Sequence, residues 1–199
     1  MHAYAVFQLL CCFLFPRTIH TAPAIAPSPG LQDALERAGM LADKISRDVP
    51  TTLAQASTLD LTSPIGDLQM LAATLNIPPV PVLKPLSPNF NVDMCLNRMA
   101  AGVRMFQGLL GALSERLGGL ERLQADLRDL LAHIAKVREA AWPGGDETNQ
   151  DEHLDQWAGL AAQLHGDYEV QAAVHLTLTQ LRSFAHDIIR SLRAIAAQR

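Results

Sequence analysis

Apolar residues recur at alternating spacings of three and four along four stretches of the chain, the pattern of amphipathic helices with one buried stripe. Segment A (29–48) carries Leu31, Leu35, Ala38, Leu41/Ala42 and Ile45. Ser28 precedes it as an N-cap, Pro29 takes the first helical position, and the helix is expected to end before Pro50. Segment B (90–117) carries Val92, Leu96, Met99, Val103, Phe106, Leu110, Leu113 and Leu117. Segment C (119–141) begins at the Gly118-Gly119 pair and carries Leu120, Leu123, Leu127, Leu130/Leu131, Ile134 and Val137, stopping at Trp142-Pro143-Gly144-Gly145. Segment D (167–198) carries Val174, Leu178, Leu181, Phe184/Ala185, Ile188, Leu192 and Ile195. At 1.5 Å per residue the four rods span roughly 28 to 46 Å. A single stripe cannot be buried alone, and four stripes facing inward make a bundle.

The lengths of the connections predict the topology. A Gly-Gly step joins B to C, which makes them antiparallel neighbours. About forty residues separate A from B and about twenty-five separate C from D, enough in each case to run back along a helix. Two long crossovers around one short turn predict an all-α, up-up-down-down four-helix bundle. Within the A–B crossover, Ile65, Leu68, Leu71, Ala72 and Leu75 form a further short stripe, predicting a short helix over 65–76. The proline-rich run Ile77–Pro85 should then be extended, because proline fixes φ and keeps the preceding residue out of the helical region. The C–D crossover holds acids at 146, 147, 151, 152, 155 and 167 with no Lys or Arg, a solvated loop onto which Leu154 and Trp157 fold back.

Composition agrees with this picture. The chain has 199 residues, of which 49% are apolar and only 5% aromatic, so the core is built from Leu, Ala, Ile, Val and Met. A net charge of -4 argues against a nucleic-acid partner, which needs a Lys/Arg surplus. The apolar run Tyr4–Phe15 is too short to span a bilayer and has the length of a signal-peptide core. Residues 1–24 are accordingly read as a secretory signal peptide ending at Ala22-x-Ala24, and 25–199 as the mature helical domain. A membrane anchor or a buried first helix is the alternative for that run, and no membrane insertion is expected once the signal is removed. Removal also takes Cys11 and Cys12, leaving Cys95 as a lone thiol on the apolar side of B, with no intrachain disulfide. No Asn begins an Asn-x-Ser/Thr triplet.

No nucleophile elbow, phosphate-binding Gly-rich loop, zinc-protease helix or paired-Cys motif occurs, so neither an enzyme, a cofactor nor a metal site is expected. His175 and His186 share a face of D but lie about 16 Å apart by helical rise, too far for one metal. His153 and His165 sit in the acidic crossover.

Four strings recur in order along the chain: Leu71 through Leu75-Asn-Ile-Pro78 with its prolines, Met105-Phe-Gln-Gly-Leu-Leu-Gly-Ala-Leu113, Leu120-x-x-Leu-Gln-x-Asp-x-x-Asp129, and Leu181-x-Ser-Phe184 followed by Arg190-x-Leu-Arg-x-Ile-Ala196. Together they resemble the granulocyte colony-stimulating factor family of long-chain helical cytokines in the interleukin-6 superfamily, in the form of a non-mammalian vertebrate member. The resemblance implies a secreted growth factor, monomeric when free. Such a factor clusters a class I cytokine receptor through two surfaces and drives proliferation and differentiation of granulocyte precursors. On the main surface, the family's basic positions on A fall on Arg37 and Lys44, and a family glutamate falls on Met40. Its acidic positions on C fall on Asp126 and Asp129, with Glu121 one turn earlier. The second surface falls on Asp67, with Leu68 and Met70 beside it. The family's two disulfides are missing, Cys95 aligning with one half-cystine whose partner is gone. Helical-wheel positions agree: Arg37, Met40 and Lys44 cluster off the stripe of A, and Asp126 and Asp129 lie about 60° apart off the stripe of C. An exposed Met among charges suits a protein contact, although single exposed apolar residues also occur without one. The competing expectation is an apolipoprotein-like secreted lipid-binding protein, whose amphipathic helices would spread on a lipid surface.

Overall fold

The computed structural model describes residues 29–56, 65–85, 91–141 and 160–197. The signal-peptide reading of 1–24, the Ser28 cap and most of the acidic crossover, with His153, Leu154 and Trp157, lie outside the described residues. Those residues form helices α1 (Pro29–Ala56), α2 (Ile65–Thr74), α3 (Val92–Ser114), α4 (Glu121–Ala141), α5 (Leu160–Gln163) and α6 (Asp167–Ala197), and no strand is found among them. The four long helices are segments A to D, and α2 is the short crossover helix.

Local chemistry sets the helix ends. Asn91 caps α3 by accepting the Met94 amide at 2.9 Å. The Gly118-Gly119 turn works because Gly119 takes φ 89, and its amide donates to Glu121 Oε2 at 3.0 Å. At the start of α6, Glu169 reaches back to the His165 amide at 2.7 Å, next to Asp167 in a first turn that favours negative charge. α2 closes on a left-handed Asn76 (φ 56), with the Ile77 amide donating to the Ala72 carbonyl at 2.9 Å and the Asn76 amide to Ala73 at 3.2 Å. This Schellman arrangement usually requires Gly, and Asn is the residue that best replaces it.

The segment A boundary needs correction. α1 does not stop before Pro50 but runs on to Ala56 with the proline inside it. Proline removes one backbone donor and disfavours the preceding helical turn. Packing overrides that preference here, because Val49 and Ala56 on either side of the proline are both buried. Thr52 Oγ1 donates to the Asp48 carbonyl at 3.1 Å and ties the same turn. The other long-helix ends lie within a few residues of the expected boundaries.

One apolar core joins all the long helices. α1 lies against α4 and α6, and α3 lies against the same two. At the centre Phe106 and Phe184 meet with ring centroids 5.7 Å apart and planes tilted by 41°. Gly102 faces Phe184 so closely that a Cβ built there would stand 2.3 Å from the ring's ζ-carbon. Cys95 is buried in the same core; burial pushes its thiol pKa above the usual 9.0, against the opposing pull of the Ser191 hydroxyl and the Arg98 charge. From Ile77 to Leu83 the proline run forms neither helix nor strand and lies over the bundle, burying both of those residues, and Arg98 Nη1 donates to the Val82 carbonyl at 3.2 Å.

Contacts between helices follow a consistent order. Between α1 and α4, Lys44 meets Asp126 and Asp48 meets Arg122. Between α3 and α4, Gln124 donates to the Leu110 carbonyl and Arg138 to Asn97 Oδ1. Between α1 and α6, Ser46 Oγ and His186 Nε2 stand 3.0 Å apart.

Candidate functional site

The α1/α4 face gathers most of the residues that the sequence singled out. The stripes of both helices turn inward, leaving their charged edges side by side along the seam. Lys44 Nζ bonds to Asp126 across that seam and lies 3.1 Å from Asp48 on its own helix. Arg122 Nη2 stands 3.7 Å from the same Asp48 carboxylate. Burial alone lowers the Lys44 pKa, but the hydrogen bonds and charges of Asp126 and Asp48 outweigh it, holding the ammonium above its ordinary 10.5.

The remaining candidates on this face play different parts. Arg37 pairs along its own helix with Asp33 at 2.9 Å, an exposed contact of small energetic weight. Met40 is 57% exposed between Arg37 and Lys44. Asp129 is exposed one turn beyond Asp126. Glu121 is exposed and occupied in bracing the Gly118-Gly119 turn. The wheel reading therefore places these residues on one side of the bundle but misses how they divide. Lys44 and Asp126 hold each other, whereas Met40 and Asp129 stand open. The side chain of Asp126 is only 13% exposed, so it is not the free surface carboxylate that its wheel position implied.

Met40 also lines a groove of about 410 Å³ between α1 and α6, together with the apolar Leu35, Ile189 and Leu192 and the charged Glu36, Asp43 and Arg193. The sequence reading did not find it, because a groove between helices depends on which helices are neighbours.

For the second surface, Asp67 and Leu68 lie in α2, with their side chains outside the described residues. Met70 in the same helix is 72% exposed. The end of α2 reaches the turn before α6, where Asn76 Nδ2 donates to Gln163 Oε1 at 3.3 Å. Tyr168, 57% exposed in the first turn of α6, is the large aromatic that the stripe analysis passed over. Its signal was an apolar residue off the D stripe, beside the acids Asp167 and Glu169.

Apolar surface is otherwise withdrawn into the core. The large hydrophobics exposed among the described residues are Met40, Met70, Val82, Met94 and Tyr168, spread over several elements, and no described helix is long and apolar enough to cross a membrane. Helices that coat lipid keep a broad apolar face, which these four long helices bury against one another.

No family model matches the chain. Granulocyte colony-stimulating factor of Bos taurus is 25% identical over 196 residues, a match that spans 96% of this chain and 97% of the relative. The chain is thus similar, along nearly its whole length, to a cytokine rather than to an enzyme, and its described helices pack around one core.

Proposed function

We propose that the chain is a secreted cytokine of the granulocyte colony-stimulating factor type, acting by bringing class I cytokine receptor chains together and doing no chemistry. The observation that carries this reading is the end-to-end similarity to the bovine factor. The order of contacts supports the up-up-down-down arrangement. In the α1/α4 and α3/α4 pairs a later residue of one helix meets an earlier residue of the other, as expected if α1 and α3 share one direction and α4 the opposite one. α6 fits the direction of α4, since Ser46 meets His186 while earlier residues of α1 line a groove with later residues of α6. Residues 1–24 direct secretion, and the mature domain circulates as a monomer.

The main receptor surface is the α1/α4 face with Met40 and Asp129 outward. An adaptable apolar side chain within a charged rim fits a protein partner that offers basic groups around an apolar patch. The second surface lies on α2 around Asp67 and Met70. Receptor clustering drives the proliferation and differentiation of granulocyte precursors.

The test is a titration of the receptor ectodomain from the same species onto the immobilised chain. Asp129→Lys should weaken capture about tenfold or more, because reversing an exposed interfacial charge exchanges attraction for repulsion. Its thermal midpoint should stay within a degree or so, since the residue is exposed. Asp67→Lys should leave first-chain capture intact and impair receptor clustering in cells. Wild-type capture that is no stronger than that of an unrelated helical bundle would refute the reading.

A further inference from the structure

We propose that Lys44 and Asp126 are positioning residues, a clamp that fixes the register of α1 on α4, and that a receptor reads the open residues beside them, Met40 and Asp129. This rests on the receptor reading above and changes the roles of its residues, since the resemblance makes Lys44 and Asp126 contacts in their own right. Lys44 bonds to Asp126 on the facing helix and to Asp48 on its own, and Arg122 approaches Asp48 from the α4 side. Two cations and two carboxylates therefore balance across the seam with no net charge to offer a partner. The Asp126 side chain is 13% exposed and that of Lys44 34%. A partner that captured Lys44 would leave Asp126 unpaired in a half-buried seam, and one that captured Asp126 would leave Lys44 with Asp48 alone; either separation is costly.

The geometry also explains why the clamp bears on recognition. Lys44 meets Asp126 while Asp48 meets Arg122, so each turn toward the start of α1 is matched by a turn toward the end of α4. One turn further in that register Met40 comes level with the buried Leu130, whose neighbour Asp129 is exposed, so Met40 and Asp129 belong to matched turns of the two helices. A shift of one turn between the helices would carry them about 5 Å out of step. The clamp sets the spacing between an apolar anchor and an exposed carboxylate, and the complementary partner surface is an apolar pocket next to an Arg or Lys.

A double-mutant cycle on the full chain tests this with two readouts, urea unfolding and capture by the receptor ectodomain. Lys44→Ala, Asp126→Ala and the double variant are compared with wild type. The clamp predicts that the two sites are coupled in the unfolding equilibrium constant by at least about threefold. It also predicts that the double variant, which leaves no unpaired charge, binds receptor better than the product of the two single losses. Met40→Asp and Asp129→Lys should each reduce capture about tenfold with the unfolding midpoint unchanged. Independent, multiplying losses of capture at 44 and 126 would make them direct contacts and overturn the proposal, as would absent coupling in unfolding. If the wild-type chain captures no receptor, the receptor reading fails and the unfolding cycle still decides whether the clamp exists.

Discussion

Gly102 offers the sharpest test of the core, because its environment reverses the usual effect of replacing a helical glycine. In a free helix interior, Gly→Ala is favourable by up to about 1 kcal/mol. At Gly102 the new Cβ would lie 2.3 Å from the ζ-carbon and 2.6 Å from the ε1-carbon of Phe184, both well inside ordinary contact. The ring cannot simply swing away, since Phe184 is buried and rests on Phe106 at 5.7 Å. Overpacking of this kind costs about 1–3 kcal/mol, and the size of the overlap puts it near the upper end. Subtracting the propensity gain leaves a net loss of about 2 kcal/mol for Gly102→Ala. Gly111, in the same helix with nothing within 4 Å of its built Cβ, supplies the control, and Gly111→Ala should gain up to about 1 kcal/mol. The assay is urea unfolding followed by circular dichroism, with equal slopes required before midpoints are compared. Adding Phe184→Leu should relieve part of the crowding, so that the double variant is more stable than the sum of the two singles. Equal stabilities for Gly102→Ala and Gly111→Ala would refute the close approach of α3 to α6.

Other perturbations probe separate links. Pro50→Ala restores a backbone donor inside α1 and should raise stability by about 1 to 3 kcal/mol in thermal or urea unfolding; an unchanged or lower midpoint would mean that the α1 extension does not depend on packing against proline's preference. Asn91→Ala removes the α3 cap and should cost about 1 kcal/mol, read in the same unfolding assay. Alkaline pH should destabilise the fold through Cys95 first. Its folded thiol titrates above the unfolded value of 9.0, so the unfolded chain loses that proton first and stability falls as pH rises past 9.0 toward the folded pKa. Lys44 adds the same sign from 10.5 upward, its contribution being complete below that value and lost above. Cys95→Ala should flatten the first part of that decline, and a urea midpoint that already stays flat in the wild type through this range would contradict the burial of the thiol.

The four long helices were legible because each buries one stripe, and a stripe is a local property of the sequence. Leu31, Leu35, Ala38, Ala42 and Ile45 needed no knowledge of their neighbours to be recognised as one face, and all are buried. Pro50 was misread for the complementary reason. Its local effect ends a helix, and only the burial of Val49 and Ala56 against the rest of the bundle carries the helix past it. The candidate site divides along the same line. Helical-wheel geometry puts Arg37, Met40 and Lys44 off the α1 stripe, but whether a charge is open or already satisfied depends on the helix packed beside it. Asp126 and Asp129 look alike in sequence and differ in the fold, because Asp126 lies on the edge facing α1, where Lys44 bonds to it, while Asp129 lies outside that edge. The role of Asp48 was half visible, since its spacing of four from Lys44 gives the pair along α1, while Arg122 is added only by the packing of α4. Tyr168 escaped notice because an exposed aromatic leaves no periodic trace.

The most direct test of the whole account is the mass of the complex formed by the purified mature chain and its receptor ectodomain, measured by light scattering after size exclusion at micromolar concentration. A chain that clusters receptors through two surfaces should co-elute with more than one ectodomain, and Asp67→Lys should reduce the assembly to a single receptor. Chain and ectodomain eluting apart, each at its own mass, would contradict the account.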